Sequence, residues 1–238
     1  LENALTLVLA APDRMAEQYG AADILTRLYA WADHPSVQGV ILNVESDPVV
    51  QAAYAAWDVN PGSWQAANDV AEAIKVLVDQ FTDTYPNLAY LVIVGDDEII
   101  PFYRVADQNP TFWHEFHYRQ SVPAGTLRDA FAADRILTDD FYADRSPTVP
   151  GSPFWVDGHE LFLPDFAIGR LVGEPEEMSA ILEAFLTNDG VITLDPGLIG
   201  GDPSLTRDLR EAQCLAYQND GLSASCPGSS SQFWLSVL

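Results

Sequence analysis

The segment from Leu88 to Val94 constrains this chain more than any other. It reads Leu-Ala-Tyr-Leu-Val-Ile-Val, carries no charge, and runs directly into Gly95-Asp96-Asp97-Glu98. A strand with one wet face alternates apolar and polar residues, so an unbroken apolar run of strand length predicts a strand covered on both sides. That is the condition of a central strand in a parallel sheet with helices above and below. Gly95 permits a sharp exit. The three carboxylates then stand where the sheet's carboxyl edge would be, the edge at which open α/β sheets bind ligands.

The flanking sequence supplies the partners such a strand needs. Leu5 to Ala10 and Gln38 to Val44 are two further short apolar runs. Between them Ile24, Leu25, Leu28 and Tyr29 recur at helical spacing, which predicts a helix over Ala21 to Asp33 with a stop at His34-Pro35. After Asn60-Pro61-Gly62, Ser63 is positioned to cap a long helix that places Val70, Ile74, Leu77, Val78 and Phe81 on one face. The order βαβαβ, wound right-handed, predicts a three-layer α/β/α sandwich with a mostly parallel sheet. Residues 102–160 break this rhythm and read as an irregular insertion. It holds hairpin-like pieces, a short helix over Thr126 to Ala133, and a loop marked by Pro147, Pro150 and Pro153. Order returns with a strand at Phe166 to Gly169 and a helix begun by Pro175, whose expected inner stripe is Met178, Ile181, Leu182 and Phe185. A strand at Gly197 to Gly200 and a helix opened by Asp202-Pro203, with Leu205, Leu209 and Ala212 inward, are expected to follow. The α/β domain is taken as residues 1–218. The Gly/Ser-rich residues 219–238 are taken as a tail or the start of a further part.

Charge narrows the partners. Asp and Glu number 35 against 11 Lys and Arg, a net charge of −24. Such a surface repels nucleic acid and anionic lipid, which excludes both as expected partners. No apolar run approaches the roughly 18 residues that span a bilayer, so no membrane insertion is expected. Three readings of the acidity stay open: a well-solvated exterior, Ca²⁺ held by clustered carboxylates, or a cationic substrate or partner.

The candidate metal ligands are Asp96 and Asp97 in the first acidic segment, and Asp139 and Asp140 in the second, Thr138-Asp-Asp-Phe-Tyr-Ala-Asp144. Ca²⁺ takes six to eight oxygens, which one such segment cannot supply alone; two brought together could. The competing reading is that these side chains shape turns and face water. His114 and His117 are three residues apart, not at the spacing of four used by His-Glu-x-x-His zinc hydrolases. No Gly-x-Ser-x-Gly elbow or phosphate-cradling Gly-x-x-x-x-Gly-Lys loop occurs. Cys214 and Cys226 fit either a short disulfide loop in an exported protein or two thiols. Neither lies in a setting that would activate a nucleophile, so no catalytic residue is assigned.

Three segments together resemble one family. They are Tyr90 to Pro101 (Tyr-Leu-Val-Ile-Val-Gly-Asp-Asp-Glu-Ile-Ile-Pro), Leu137 to Asp144, and Leu163 to Leu171 (Leu-Pro-Asp-Phe-Ala-Ile-Gly-Arg-Leu) with the helix that follows. In this order they resemble the gingipain-type cysteine peptidases of the caspase-like clan, over about Leu88 to Leu186. The resemblance implies a caspase-like sandwich, wound in the flavodoxin-like manner, an exported or cell-surface protein, and a Cys/His dyad acting on protein or peptide substrates. It also implies a structural role for Gly169 and Arg170 and raises the expectation of bound Ca²⁺. The family's Gly-His-Gly setting for the catalytic histidine is absent from the sequence. The chain starts without Met and ends in the apolar Gln232 to Leu238. The expectation is therefore an N-terminal portion whose catalytic half lies elsewhere in a larger protein. The rival expectation is an inactive, peptidase-like binding module of a large extracellular protein.

Overall fold

The computed structural model describes residues 3–20, 23–107, 115–146 and 160–191. Contacts divide the chain into two units, residues 1–187 and 188–238, and every element named here belongs to the first. In chain order these are β1 (Thr6–Ala10), α1 (Pro12–Tyr19), α2 (Asp23–Ala32), β2 (Gly39–Asn43), α3 (Pro48–Val59), α4 (Trp64–Thr84), β3 (Tyr90–Val94), β4 (Tyr103–Ala106), α5 (Thr126–Ala132), β5 (Arg135–Thr138), α6 (Asp140–Ala143), β6 (Ala167–Leu171) and α7 (Pro175–Thr187). The expected strand at 197–200, the helix after Asp202, Cys214, Cys226, the loop prolines 147–153, His114 and His159 lie outside the described residues.

The main sheet has four strands in the order β2-β1-β3-β6, and every pairing is parallel. The steps β1→β2 and β2→β3 run in opposite directions across this sheet. Right-handed crossovers therefore place their helices on opposite faces, which makes the three-layer α/β/α sandwich. All five side chains of β1 are buried, so both faces above it are covered. On the helical layers α2 packs against α7, and α3 against α4. β3 lies between β1 and β6 with Leu91, Ile93 and Val94 in the core. Its first residue, Tyr90, is 51% exposed, because the strand enters the sheet at its rim and only its later residues lie under both layers.

Local chemistry sets the helix starts. Asp47 accepts from the N–H groups of Val49 and Val50 at 2.8 and 3.2 Å, and Pro48 fills the first turn of α3, where an N–H would have no helical partner. Ser63 caps α4 by accepting from Ala66 N–H at 3.2 Å, and Val70, Ile74, Leu77 and Val78 are buried along that helix. Two helical stripes are narrower than the spacing suggests. Tyr29 of α2 and Ile181 of α7 point outward, 57% and 54% exposed, because only Ile24 and Leu28, or Met178 and Leu182, sit squarely over their neighbours.

The insertion folds as an antiparallel pair, β4 with β5, in the register Tyr103 to Thr138 and Ala106 to Arg135. Its pieces are held to one another and to the loop before β6 by aromatic packing. Tyr103 stacks on Phe141 with ring centroids 4.0 Å apart, and Phe162 meets both rings edge-on.

Candidate functional site: the carboxyl rim of the sheet

β1 and β3 are adjacent, yet their crossovers leave in opposite directions, so a crevice opens beyond their carboxyl ends. The turn after β3 forms one wall. Gly95 adopts φ of +108°, and a Cβ added there would meet the Ile99 side chain at 2.6 Å, so only glycine fits this bend. Asp96 then folds its carboxylate back onto the turn and accepts from Glu98 and Ile99 N–H at 3.0 and 3.2 Å. The Tyr19 hydroxyl at the end of α1 donates to the same carboxylate at 2.7 Å. Burial first, then this bond to Asp96, raises the Tyr19 phenol well above its ordinary value.

Of the other predicted ligands, Asp97 and Asp139 are engaged through their carboxylates, and Asp140 through its backbone N–H. Asp97 is 2% exposed and receives Arg104 at 2.7 Å, Thr126 Oγ1 at 2.5 Å and Phe102 N–H at 2.9 Å. Arg104 is equally buried, and its backbone exchanges hydrogen bonds with the Asn68 amide of α4 at 2.8 and 3.0 Å. This network ties α4, β4 and α5 to the turn. Asp139 pairs with Arg170 of β6, whose Nε lies 2.9 Å from Oδ2. Asp140 begins α6, its N–H donating to Thr138 Oγ1 at 3.1 Å. Asp144 is buried and accepts from Ser146 and Leu163 N–H at 2.8 and 3.0 Å. The two acidic segments do approach each other, and the group between them is the Arg170 guanidinium. Its Nη1 reaches the carbonyls of Gly95, Asp96 and Ile100 at 3.0, 3.3 and 2.7 Å. Among the described residues no group of three or more His, Cys, Asp or Glu side chains is arranged to hold a metal ion.

Several rim residues carry no sequence motif. Arg14 of α1 donates to Asp58 at 3.0 Å and to the Glu98 carbonyl through Nε and Nη2, and its guanidinium lies 4.3 Å from the Tyr54 ring centroid. The Glu45 carboxylate caps α1 by accepting from Asp13 and Arg14 N–H at 2.8 and 3.1 Å. Burial outweighs those bonds and raises the Glu45 carboxyl above its usual value. Tyr54 and Tyr142 are both buried, and their hydroxyls donate to the Ile99 and Pro101 carbonyls at 2.7 and 2.6 Å. Scarcity was the available signal for the arginines. In a chain with so few cations, Arg104 and Arg170 each sit inside an apolar strand-like stretch, which demands a buried partner.

The crevice holds a cleft of about 510 Å³ lined by Arg14, Trp57, Asp58, Gly62, Glu98 and Asp129. A smaller hollow of about 250 Å³ adjoins it, sharing Glu98, Gly125 and Thr126 and walled by Val122 and Leu127. Arg14 is held by its own partners, so the free charge along the rim is negative. Burial, then the charges of Asp96 and Asp97, pushes the Glu98 carboxyl above the usual range. Such a rim suits a cationic group and repels a phosphate. No protein-family model, curated protein or solved structure matches the chain. Among the described residues no helix is long and apolar enough to cross a membrane.

Proposed function

We propose that this chain is the non-catalytic N-terminal portion of a gingipain-like cysteine endopeptidase, an exported protein whose thiol and histidine base are supplied by residues outside this sequence. The observation that supports the reading is a convergence. The three segments that carry the resemblance are far apart in sequence, yet they form one structural unit. Arg170 of the third grips Asp139 of the second and the turn of the first, and Tyr142 of the second donates to Pro101 of the first. Three weak motifs that serve one clamp are better support than three that scatter. In this reading the sheet is a platform, and its chemistry is mechanical: it presents a fixed rim to a catalytic part. Hydrolysis would run by thiolate attack with a histidine base. The test is the coding sequence beyond Leu238. A Gly-His-Gly segment followed by a cysteine after a further strand is expected, and a product that reacts with thiol-directed peptide probes. A reading frame with neither would remove the peptidase reading.

The cleft supports a second reading, an inactive peptidase-like module that binds. Its volume and its wall, where Glu98 and Asp129 stand in excess of the Arg14–Asp58 pair, suit a cationic segment of a protein partner. A frame lacking the thiol and histidine, with retained binding of cationic peptides that salt weakens, is what this reading expects.

A further inference from the structure

The Arg170 guanidinium sits between the two acidic segments. Five oxygens face it: both carboxylate oxygens of Asp139 and the carbonyls of Gly95, Asp96 and Ile100. Carbonyls turned inward beside a carboxylate are the donor set of a hard cation such as Ca²⁺. Here a guanidinium occupies that position, with the Phe102 ring 4.0 Å from its carbon, and it is delivered by the central sheet itself, since Arg170 pairs in register with Ile93 of β3. The Arg170 side chain is 6% exposed and that of Asp139 is 16% exposed, so water does little to replace either partner.

We infer that Arg170 is the built-in cation of the rim. It holds the turn after β3 in the shape that a bound Ca²⁺ would otherwise impose, and it makes this part of the fold independent of metal. Asp139 is then unavailable to Ca²⁺ while Arg170 is in place. The inference concerns only the clamp, and it stands or falls independently of the peptidase reading.

The experiment compares thermal melting of the wild-type chain, R170A and R170K, each with EDTA, with millimolar Ca²⁺ and with millimolar methylguanidinium. Removing the guanidinium leaves a carboxylate and three carbonyls without their donor, so R170A should melt roughly 10 °C lower. Methylguanidinium or Ca²⁺ should restore part of that loss in R170A and add nothing comparable to wild type. R170K, which keeps a charge without the fork, should fall between them. Equal responses of R170A and wild type, or no response of R170A to either cation, would overturn the inference. A second arm does not depend on R170A folding. Calorimetric Ca²⁺ stoichiometry of D139N should equal that of wild type, and the loss of one Ca²⁺ per chain in D139N would assign Asp139 to a metal instead.

Discussion

The Tyr142 hydroxyl donates to the Pro101 carbonyl at 2.6 Å, and the tyrosine is fully buried. This bond is one of several that join the insertion to the turn after the central strand, beside those of Arg104 and Thr126 to Asp97. Removing it in Tyr142→Phe strands the carbonyl in an apolar setting, at a cost of about 1–2 kcal/mol. Urea unfolding should show a lower midpoint with an unchanged slope. A variant as stable as wild type would mean the two groups are not bonded in solution.

The Asp97–Arg104 pair behaves differently, because both partners are charged and 2% exposed. Asp97→Ala alone leaves a buried guanidinium without its counter-charge and should cost about 3–5 kcal/mol. Adding Arg104→Met removes that unpaired charge, so the double variant should be markedly more stable than the sum of the two single losses. Additive losses in a double-mutant cycle would contradict a direct pair.

Much of this architecture is legible in the residues, and the illegible part has physical causes. The βαβαβ order, the Ser63 cap, the helix begun at Pro175 and the central position of Leu88 to Val94 follow from periodicity and punctuation, and each is present. α1 and α3 are hard to read for different reasons. Only Met15 of α1 is buried, so that helix shows no stripe. α3 opens with Asp47-Pro48, a readable cap signature, but its Val49 and Val59 face water and blur the apolar face. Strand order is not written locally at all; that β6 lies beside β3 depends on pairings between segments far apart in the chain. At the rim, the acidic residues are visible in sequence, but their partners Arg14, Tyr19 and Arg104 are brought in by tertiary contact.

Gly95 is the tightest point of the rim. Its φ of +108° and the 2.6 Å approach of Ile99 leave no room for a methyl group. Gly95→Ala should lose about 1–3 kcal/mol from backbone strain, and more if Ile99 must shift. Amide hydrogen exchange should accelerate in residues 95–101 before the rest of the sheet. Uniform acceleration across all four strands would instead place the cost in the core.

Glu98 gives the rim a signature in pH. Its carboxyl is raised by burial and by Asp96 and Asp97, so the folded chain holds that proton more tightly than the unfolded chain does. The contribution to stability is complete below the unfolded value, near 4.3 for glutamate, and is lost as pH rises through the higher folded value. Above that window the ionised side chain works against the fold. Glu98→Gln should therefore stabilise the protein at neutral pH, with the difference from wild type vanishing on acidification. A Gln variant less stable than wild type at neutral pH would show that the charge is held favourably, by Arg14 for example.

The account of function rests on a division of labour between this platform and a thiol chemistry outside it. The most direct measurement is hydrolysis of protein and peptide substrates by the purified 238-residue chain and by the full natural polypeptide that contains it, with and without a thiol-alkylating reagent. The account predicts no turnover by the chain alone and turnover by the full polypeptide that alkylation abolishes. Hydrolysis by the chain alone that disappears in Cys214→Ser or Cys226→Ser would contradict it, as would a full polypeptide whose activity is indifferent to alkylation.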